Sequence, residues 1–540
     1  MNNFKLLLSV FFLAIIYSSN ASSANRENSF IFIENQIDNE YFITPSSLDP
    51  RFSGANVFTK YSASSQDSLG YMGANTTGVQ SNRYLDIWLE NSPISNPFVG
   101  NRCMRNSSGC SNSGLWPAGS ILNDGAYKIR QTGTSGQSNY VRPIFSSNAY
   151  EYFKSLTTGS SETLHIKACR TNTAAQDYDL SKGETCENTG GRILMDDQFK
   201  INKIGHIKLV SNNALQEIFI DTDGNPSIGL GNNFCSIGVV SNQPGLICKL
   251  VSYNMTNTTE ISRLYLGLKL NPTYITGNQS NGTVMIGDGG SNWFNYTRTN
   301  SNPNTTYTRI MSNGSGDIYL YLSNVFLKKL ITDKIDLSRS QEFFTLSFYN
   351  SLTPQSGYYE FTPSNTLIIK PRNYGVSIIS SDLVNNPKKT GKIGESPLVF
   401  NYIVTTSAHR QADSITAQVI GKNTIIKNQS YCVFSSADES INVPFSAYLS
   451  YTSDSGSKVN KRASCDSTEI SIKDALWSVV PWDVPSQNEG SFFRTNLDLT
   501  FPMNEGPSYW SLEGEDWIGS VTGTGEIKII ATWTGPDILD

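Results

Sequence analysis

The stretch Leu85-Asp-Ile-Trp-Leu-Glu90 places Leu85, Ile87 and Leu89 in alternation with Asp86, Trp88 and Glu90. A repeat of two residues is the period of a β-strand that buries one face. Similar alternation recurs at 398–404 and 527–533, and turns rich in Gly, Asn, Ser and Pro separate such runs. Many short strands without a strand–helix–strand rhythm predict an all-β chain of tandem immunoglobulin-like β-sandwich domains.

Two parts of the chain follow the same plan. Phe30-Ile-Phe-Ile-Glu-Asn precedes Asn39-Glu-Tyr-Phe-Ile-Thr, and later His206-Ile-Lys-Leu-Val-Ser precedes Gln216-Glu-Ile-Phe-Ile-Asp. Segments beginning at Ser147 and Ser323 each predict a short helix capped by Ser or Asn. We interpret this as a repeat, although strand-rich segments also resemble one another by chance. The predicted domains are 25–203, 204–372 and 373–540, called the first, middle and third units below.

The beginning of the chain has the pattern of an export signal. Lys5 precedes the apolar run Leu6–Ile16, and small residues suited to signal peptidase follow. We therefore expect residues 1–24 to be a signal peptide cleaved after about 21 or 24. The mature chain is expected to pass through the periplasm to the cell surface.

The cysteines agree with an oxidising compartment. An even number of cysteines behind a signal peptide predicts disulfides. Eight cysteines allow 105 pairings, and their spacing favours neighbours: Cys103 with Cys110, Cys169 with Cys186, Cys235 with Cys248, and Cys432 with Cys465. The chain has no C-x-x-C motif and only three histidines, so we predict no metal site.

Sequence motifs give no support for catalysis. The chain lacks G-x-S-x-G and H-E-x-x-H, and it has no complete dinucleotide or phosphate-loop signature, so we predict no catalytic residue and no cofactor. A net charge of -5 argues against a nucleic-acid partner. The alternative function is a secreted carbohydrate-active hydrolase, because its paired carboxylates need only be close in space.

Two tryptophans are candidate contacts for a receptor. Trp88 lies on the polar side of its predicted strand, and Trp116 stands beside Pro117 just after the Cys103–Cys110 loop. An exposed indole can stack on a sugar or pack against a protein. For both residues the alternative is that the indole is covered by the fold.

Several long segments carry a family resemblance. In chain order they are Pro45–Arg51, Leu85–Pro93, Ser364–Arg372, Ser430–Ser436, Asp474–Trp477 with Pro481-Trp482, and Gly525–Trp533. In these segments the chain resembles the tip adhesins of alternative chaperone–usher fimbriae, the class of the Escherichia coli common pilus. The resemblance covers nearly the whole mature chain and is weaker at 100–145 and 255–310.

The resemblance implies a fimbrial tip subunit that recognises host cells, supports early biofilm formation and is required for fibre assembly. Its implied partners are a major pilin, a periplasmic chaperone, an outer-membrane usher and a host-cell receptor, and self-polymerisation is possible. Such systems work by strand addition, in which an incomplete sandwich accepts a strand from another protein. We expect the third unit to be this pilin-like domain. Asn25–Ile33 is either a donor extension or, as we prefer, the first strand of the first unit.

Overall fold

The computed structural model describes residues 26–46, 52–57, 59–61, 66–72, 77–80, 82–105, 115–131, 136–174, 176–259, 263–275, 282–296, 307–350, 357–482 and 490–535. The fold is all-β, with 55% of the described residues in strands and 7% in helices. The predicted signal peptide lies outside the described residues, as does Cys110. No helix in the described ranges is both long and apolar enough to cross a membrane.

The described part of the first unit consists of strands with one short α-helix and a 3-10 turn, Leu180–Lys182. In chain order they are β1 (Arg26–Asn35), β2 (Glu40–Pro45), β3 (Phe52–Ala55), β4 (Thr59–Tyr61), β5 (Gln66–Ser68), β6 (Tyr71–Met72), β7 (Thr77–Val79), β8 (Tyr84–Glu90), β9 (Phe98–Arg105), β10 (Leu115–Pro117), β11 (Ser120–Leu122), β12 (Gly125–Arg130), β13 (Gly136–Phe145), α1 (Ser147–Ser155), β14 (Ser161–Arg170) and β15 (Arg192–Val210). The side chain of Ser146 caps α1 by accepting from the Ala149 amide.

The middle unit repeats this composition. Its elements are β16 (Leu215–Ile220), β17 (Pro226–Gly231), β18 (Cys235–Val240), β19 (Gln243–Asn257), β20 (Leu264–Leu270), β21 (Val284–Gly287), β22 (Trp293–Asn295), β23 (Gly314–Ser323), α2 (Asn324–Thr332), β24 (Phe344–Asn350), β25 (Tyr358–Phe361) and β26 (Thr366–Pro371). Ser323 caps α2 by accepting from the Phe326 amide, so both predicted helices are confirmed.

The third unit contains strands and a short 3-10 turn, Gly506–Tyr509. Its strands are β27 (Gly375–Ser380), β28 (Leu398–Ala408), β29 (Ser414–Gly421), β30 (Asn423–Ile426), β31 (Gln429–Ser435), β32 (Asn442–Phe445), β33 (Ala447–Thr452), β34 (Lys458–Ala463), β35 (Ile470–Ser471), β36 (Ser478–Pro481), β37 (Ser491–Phe501) and β38 (Gly525–Thr532).

Strand β15 joins the first unit to the middle unit. Its first part pairs with β14, its last part pairs with β19, and β1 runs parallel to it from Arg26 opposite Phe199 to Asn35 opposite Leu209. The predicted boundary near 204 therefore falls inside one continuous strand. A single sheet of 18 strands consequently runs through both units.

Strand β1 contributes to two hydrophobic cores. Phe30 and Phe32 belong to the core of the first unit, whereas Ile31 and Ile33 belong to the core of the middle unit, and all four are fully buried. Burial of both faces explains why four apolar residues follow one another here. Both edges of β1 are also occupied, by β2 and β15. The described part of the segment that began at Asn25 is thus a sheet strand and not a free extension.

A buried lysine lies beside this joint. The ammonium of Lys203 donates to the carbonyls of Phe153, Lys154 and Leu156, at 3.0, 2.8 and 2.7 Å, where α1 ends. Positive charge at a helix C-terminus is favourable. Burial nevertheless lowers the pKa of Lys203 to about 8, opposed in part by the charge of Glu34.

Three disulfides lie in the described chain. They join Cys169 to Cys186, Cys235 to Cys248, and Cys432 to Cys465, one in each unit. Each closes a local loop, with sequence separations of 17, 13 and 33 residues. Such staples act mainly by restricting the unfolded chain. The side chains of Cys103 and Cys110 are not among those described, so that pairing stays a prediction.

The middle and third units share a second joint. Phe219 packs against Phe492 with ring centroids 4.8 Å apart, and Trp482 completes this buried aromatic cluster. Beside the cluster, the Leu215 amide donates to the Leu383 carbonyl at 3.1 Å. The joint therefore combines apolar packing with backbone hydrogen bonds that cross between the units.

Glu217 is a fully buried carboxyl in this second joint. One of its oxygens accepts from the Leu230 amide at 3.1 Å. Burial raises its pKa, opposed by the hydrogen bond from the Leu230 amide and by the charges of Arg494 and Lys370. This polar group lies between two units rather than within one core.

Candidate functional site

The third unit leaves two strand edges open on the same side of its sandwich. Strand β27 ends one sheet, in the order β27-β28-β37-β33-β34, and β38 ends the facing sheet, in the order β35-β29-β38. Within the described chain, β27 pairs only with β28, and β38 pairs only with β29. An edge strand presents unpaired backbone donors and acceptors, which are a template for another strand.

The apolar row of β38 lies at this opening. Opposite residues on antiparallel strands share a face of the sheet, and Ile529 stands opposite Ala417, which is fully buried in the core. Ile527 and Ala531 likewise face the core. All three nevertheless stay partly exposed, because no further strand covers this edge in the described structure.

Strand β28 supplies the opposite wall. Leu398, Phe400 and Tyr402 face the core, since their partners on β37 include the buried Leu499 and Leu497, yet they also stay partly exposed. The neighbouring strand β27 covers β28 only from Tyr402 onward. The beginning of β28 therefore has a free edge on the side of the opening. We call the furrow between β27–β28 and β38 the groove.

The three cores differ in how completely they are closed. The described part of the third unit has a core of 20 buried apolar side chains. A further 15 apolar side chains pack against this core but are only partly buried. The described core of the first unit has 23 buried and 5 partly buried apolar side chains, and that of the middle unit has 40 buried and 9 partly buried. The third core is therefore the least completely closed of the three.

One end of the groove is closed by an aromatic contact, an ion pair and a hydrogen bond. Tyr374 and Trp533, which flank β27 and β38, contact each other with ring centroids 5.2 Å apart. Arg410 pairs with Asp413 at 2.8 Å, and Asp413 accepts from the Thr534 amide at 2.7 Å. These hydrogen bonds hold the pKa of the Asp413 carboxyl well below its usual range. The open edge of β38 is thus presented by a strand whose C-terminal end is fixed.

The groove can bind an extended apolar strand. It offers two free backbone edges and rows of Ile, Leu, Phe and Tyr side chains at a spacing of two residues. A strand with alternating apolar side chains would complete both the hydrogen-bond ladder and the core. The sequence showed the alternation in β28 and β38, but it carried no local signal that these distant strands form the two walls of one opening.

The structure buries both tryptophans that the sequence suggested as receptor contacts. Trp88 is 9% exposed and stacks on Tyr127, under a cover that includes Tyr178 and the Cys169–Cys186 disulfide. Trp116 is 8% exposed and belongs to the core of the first unit. Neither indole has a face free to stack on a ligand, because packing within the first unit covers it.

A polar cavity of about 230 Å³ lies in the middle unit. Its lining includes Tyr253, Asp288, Asn292, Arg309 and Asp317. Both carboxylates are engaged inside the protein: Asp288 accepts from Asn292, and Asp317 pairs with Lys249 at 2.9 Å. The cavity therefore presents fewer free polar groups than its composition suggests.

Comparison with known proteins covers all three units. Residues 17–207, 211–366 and 373–531 match the models of the N-terminal, middle and C-terminal domains of the E. coli common pilus adhesin EcpD. The chain is 34% identical to "Fimbria adhesin EcpD" of Escherichia coli O157:H7 over 515 residues, covering 93% of this chain and 92% of the relative. The relative from strain K12 is also 34% identical, over 516 residues.

Among solved structures, the chain is similar to a mutant of CfaE, the CFA/I adhesin of enterotoxigenic E. coli, with 8% identity and a TM-score of 0.17 over 95% of this chain and 98% of that one. A chaperone–tip adhesin complex of CFA/I fimbriae has 10% identity and a TM-score of 0.17, over 61% of this chain and 91% of that one. Structural similarity this low does not bear on function.

The relatives by sequence are adhesins, which supports the adhesin prediction and gives no support to the hydrolase alternative. With three consecutive domain models matched and 93% of its length aligned to curated relatives, the chain belongs to the family of the E. coli common pilus adhesin EcpD.

Proposed function

We propose that the chain is a pilus-tip adhesin whose third unit joins the fibre by accepting a strand into the groove. The observation that carries this proposal is the pair of open edges, β27 and β38, flanking apolar rows that face the core yet stay partly exposed. This is the surface that donor-strand complementation requires. The division at 204 and 373 is part of the proposal, with 373–540 as the pilin-like unit.

A different partner fills the groove before and during fibre assembly. A periplasmic chaperone supplies the first strand, because an open apolar edge otherwise aggregates or pairs with a second copy of the chain. The major pilin then replaces the chaperone strand with its own extension at an outer-membrane usher. Adhesion and assembly are binding events, so the proposal assigns no catalytic role to the chain.

The first and middle units present the receptor-binding surface in this proposal. They share β1 and the long strand β15, and they therefore hold one another in a fixed orientation at the end of the fibre. Host-cell recognition and early biofilm formation are the roles we propose for this pair of units. The weaker resemblance at 100–145 and 255–310 favours these regions as the source of receptor specificity.

The first test is size-exclusion chromatography of the mature chain with and without the chaperone of its own fimbrial system. We expect the chain alone to aggregate or polymerise, and the chaperone to yield a soluble 1:1 complex. The variant Ile529→Asp places a carboxylate in the wall of the groove. It should weaken the complex at least about 100-fold, because a buried unpaired charge costs several kcal/mol.

The matched control is Ile425→Asp in β30 of the same unit, where the side chain is already 69% exposed. This variant should bind the chaperone like the parent. A stable monomer that ignores the chaperone would contradict the proposal, as would an Ile529→Asp chain that binds it with unchanged affinity.

A further inference from the structure

The loop that precedes β38 exposes large apolar side chains. We call residues 505–523 the acidic loop. Ile518 is 93% exposed, Trp510 50%, Tyr509 43% and Leu512 39%. Single exposed apolar residues are ordinary on protein surfaces, but four in one short loop form a patch of the kind that binds partners.

The acidic loop is held in place by its own hydrogen bonds. The Leu512 amide donates to the Asn442 carbonyl of β32 at 2.8 Å, and the Trp517 indole donates to the Ser508 carbonyl at 3.2 Å. Thr522 forms a bridge to Ser435 at the end of β31. The exposed side chains are thus displayed on an ordered surface, which lowers the entropy cost of binding.

All the charged side chains of the acidic loop are negative. It contains Glu505, Glu513, Glu515 and Asp516, and the sequence has no Lys or Arg between Arg494 and Lys528. Of these acids, Glu513, Glu515 and Asp516 are exposed. The surface that complements this patch is apolar with a rim of basic residues.

Two cations of the neighbouring strands contact neutral groups. Lys422 donates to Ser435 and Asn442 at 2.7 and 2.8 Å, and Arg462 lies over the ring of Tyr431. Within the described residues, no ion pair within 4 Å joins either cation to Glu513, Glu515 or Asp516. The negative charge remains for a partner to match.

The acidic loop is continuous with the groove. Gly523 packs against the ring of Phe434, a partly buried residue of the third core, and β38 begins two residues later at Gly525. Trp517 and Val521 also contact this core while partly exposed. A protein that lays a strand along β38 consequently reaches the acidic loop at the beginning of that strand.

We propose that the acidic loop is a second docking surface for the periplasmic chaperone, which contacts it with a basic, apolar surface while its strand occupies the groove. This inference rests on the proposed function of the groove. The chaperone is the occupant because the patch is exposed from the moment the unit folds in the periplasm, before any pilin neighbour is present. An uncovered patch next to an open edge promotes aggregation.

The test measures the affinity of the full mature chain for the chaperone of its fimbrial system, starting from purified complexes. The double variant Trp510→Ser with Ile518→Ser should weaken binding about tenfold or more, as expected for an aromatic anchor with an apolar neighbour. The double variant Glu513→Lys with Glu515→Lys should also weaken binding. It should abolish the decrease in association rate that added salt causes in the parent.

Two single-residue controls change exposed side chains elsewhere on the third unit. Val479→Ser alters a residue of β36 that is 56% exposed, and Asp454→Lys reverses a charge in the β33–β34 turn. Both should bind like the parent. Circular dichroism of each complex verifies that the variants are folded.

The groove variant Ile529→Asp separates the two proposals. If it loses the chaperone while the loop variants bind like the parent, the groove proposal stands and the docking surface is overturned. If the loop variants weaken binding and Ile529→Asp does not, the loop contacts the chaperone, but strand addition is wrong and the loop is not a second surface beside an occupied groove. Loss in the loop variants that Val479→Ser or Asp454→Lys reproduces equally would also overturn the docking surface.

Discussion

Replacing Ile33 by Ala should destabilise the first and middle units together. Ile33 is fully buried in the middle core, although it belongs to the first strand of the chain. It stands opposite Ile207 on β15 and Phe42 on β2. Truncation of a fully buried Ile to Ala costs about 2–5 kcal/mol, because apolar contact is lost and a cavity remains.

Because β1 belongs to both cores, we expect the first and middle units to unfold cooperatively. Phe32→Ala acts on the opposite face of β1, in the core of the first unit, and should cost about 3–5 kcal/mol. If both units unfold as one block, each variant lowers the same calorimetric transition, by roughly 3–8 °C for a block of this size. The transition of the third unit should not move.

Differential scanning calorimetry and hydrogen exchange measured by mass spectrometry provide the assay. The control is Val325→Ala on α2, where the side chain is 63% exposed and its loss should be nearly neutral. Exchange should increase in both units for either β1 variant. Two separate transitions, with Ile33→Ala moving only one and Phe32→Ala only the other, would refute the single block.

Three further predictions concern the disulfide and the buried ionisable groups. Replacing Cys432 and Cys465 by Ser opens a loop with a separation of 33 residues and should cost the third unit about 3–4 kcal/mol in urea unfolding; an unchanged midpoint would contradict this. Because the pKa of Lys203 is about 8 in the folded chain and 10.5 in the unfolded chain, the unfolded chain holds this proton more tightly than the folded chain does. The free energy of unfolding should therefore rise between pH 8 and 10.5, and Lys203→Met should flatten that rise. The raised pKa of Glu217 means that the second joint should weaken as the pH rises above 4.5, as reported by Trp482 fluorescence, and Glu217→Gln should remove this dependence.

Local patterns in the sequence predicted local structure. The alternation at 85–90 corresponds to β8, and the Ser-led segments correspond to α1 and α2. Ser323 caps α2 as predicted, whereas α1 is capped by Ser146, the residue before the predicted segment. These elements are predictable because periodicity and capping depend on residues a few positions apart. The all-β class follows from the same signals.

Features that depend on contacts between residues far apart in the chain could not be predicted from the sequence. Trp88 alternates as a polar-face residue, but Tyr127 and Tyr178 cover it from far along the chain. The run Phe30–Ile33 showed that β1 is apolar, and only the fold shows that its two faces enter two different cores. The groove also depends on strands separated by more than a hundred residues.

The position of β27 links the groove to the rest of the molecule. One face of this strand carries Ile378 toward the third core, while Ser377 on the other face lies beside Glu217 of the middle unit. Just after β27, Val384 forms a bridge to Ala214. If the fibre joins at the groove, a pull on the fibre acts on β27 directly. Because the middle unit holds this strand from behind and shares β15 with the first unit, the pull reaches the distal units through packed strands rather than through a flexible linker.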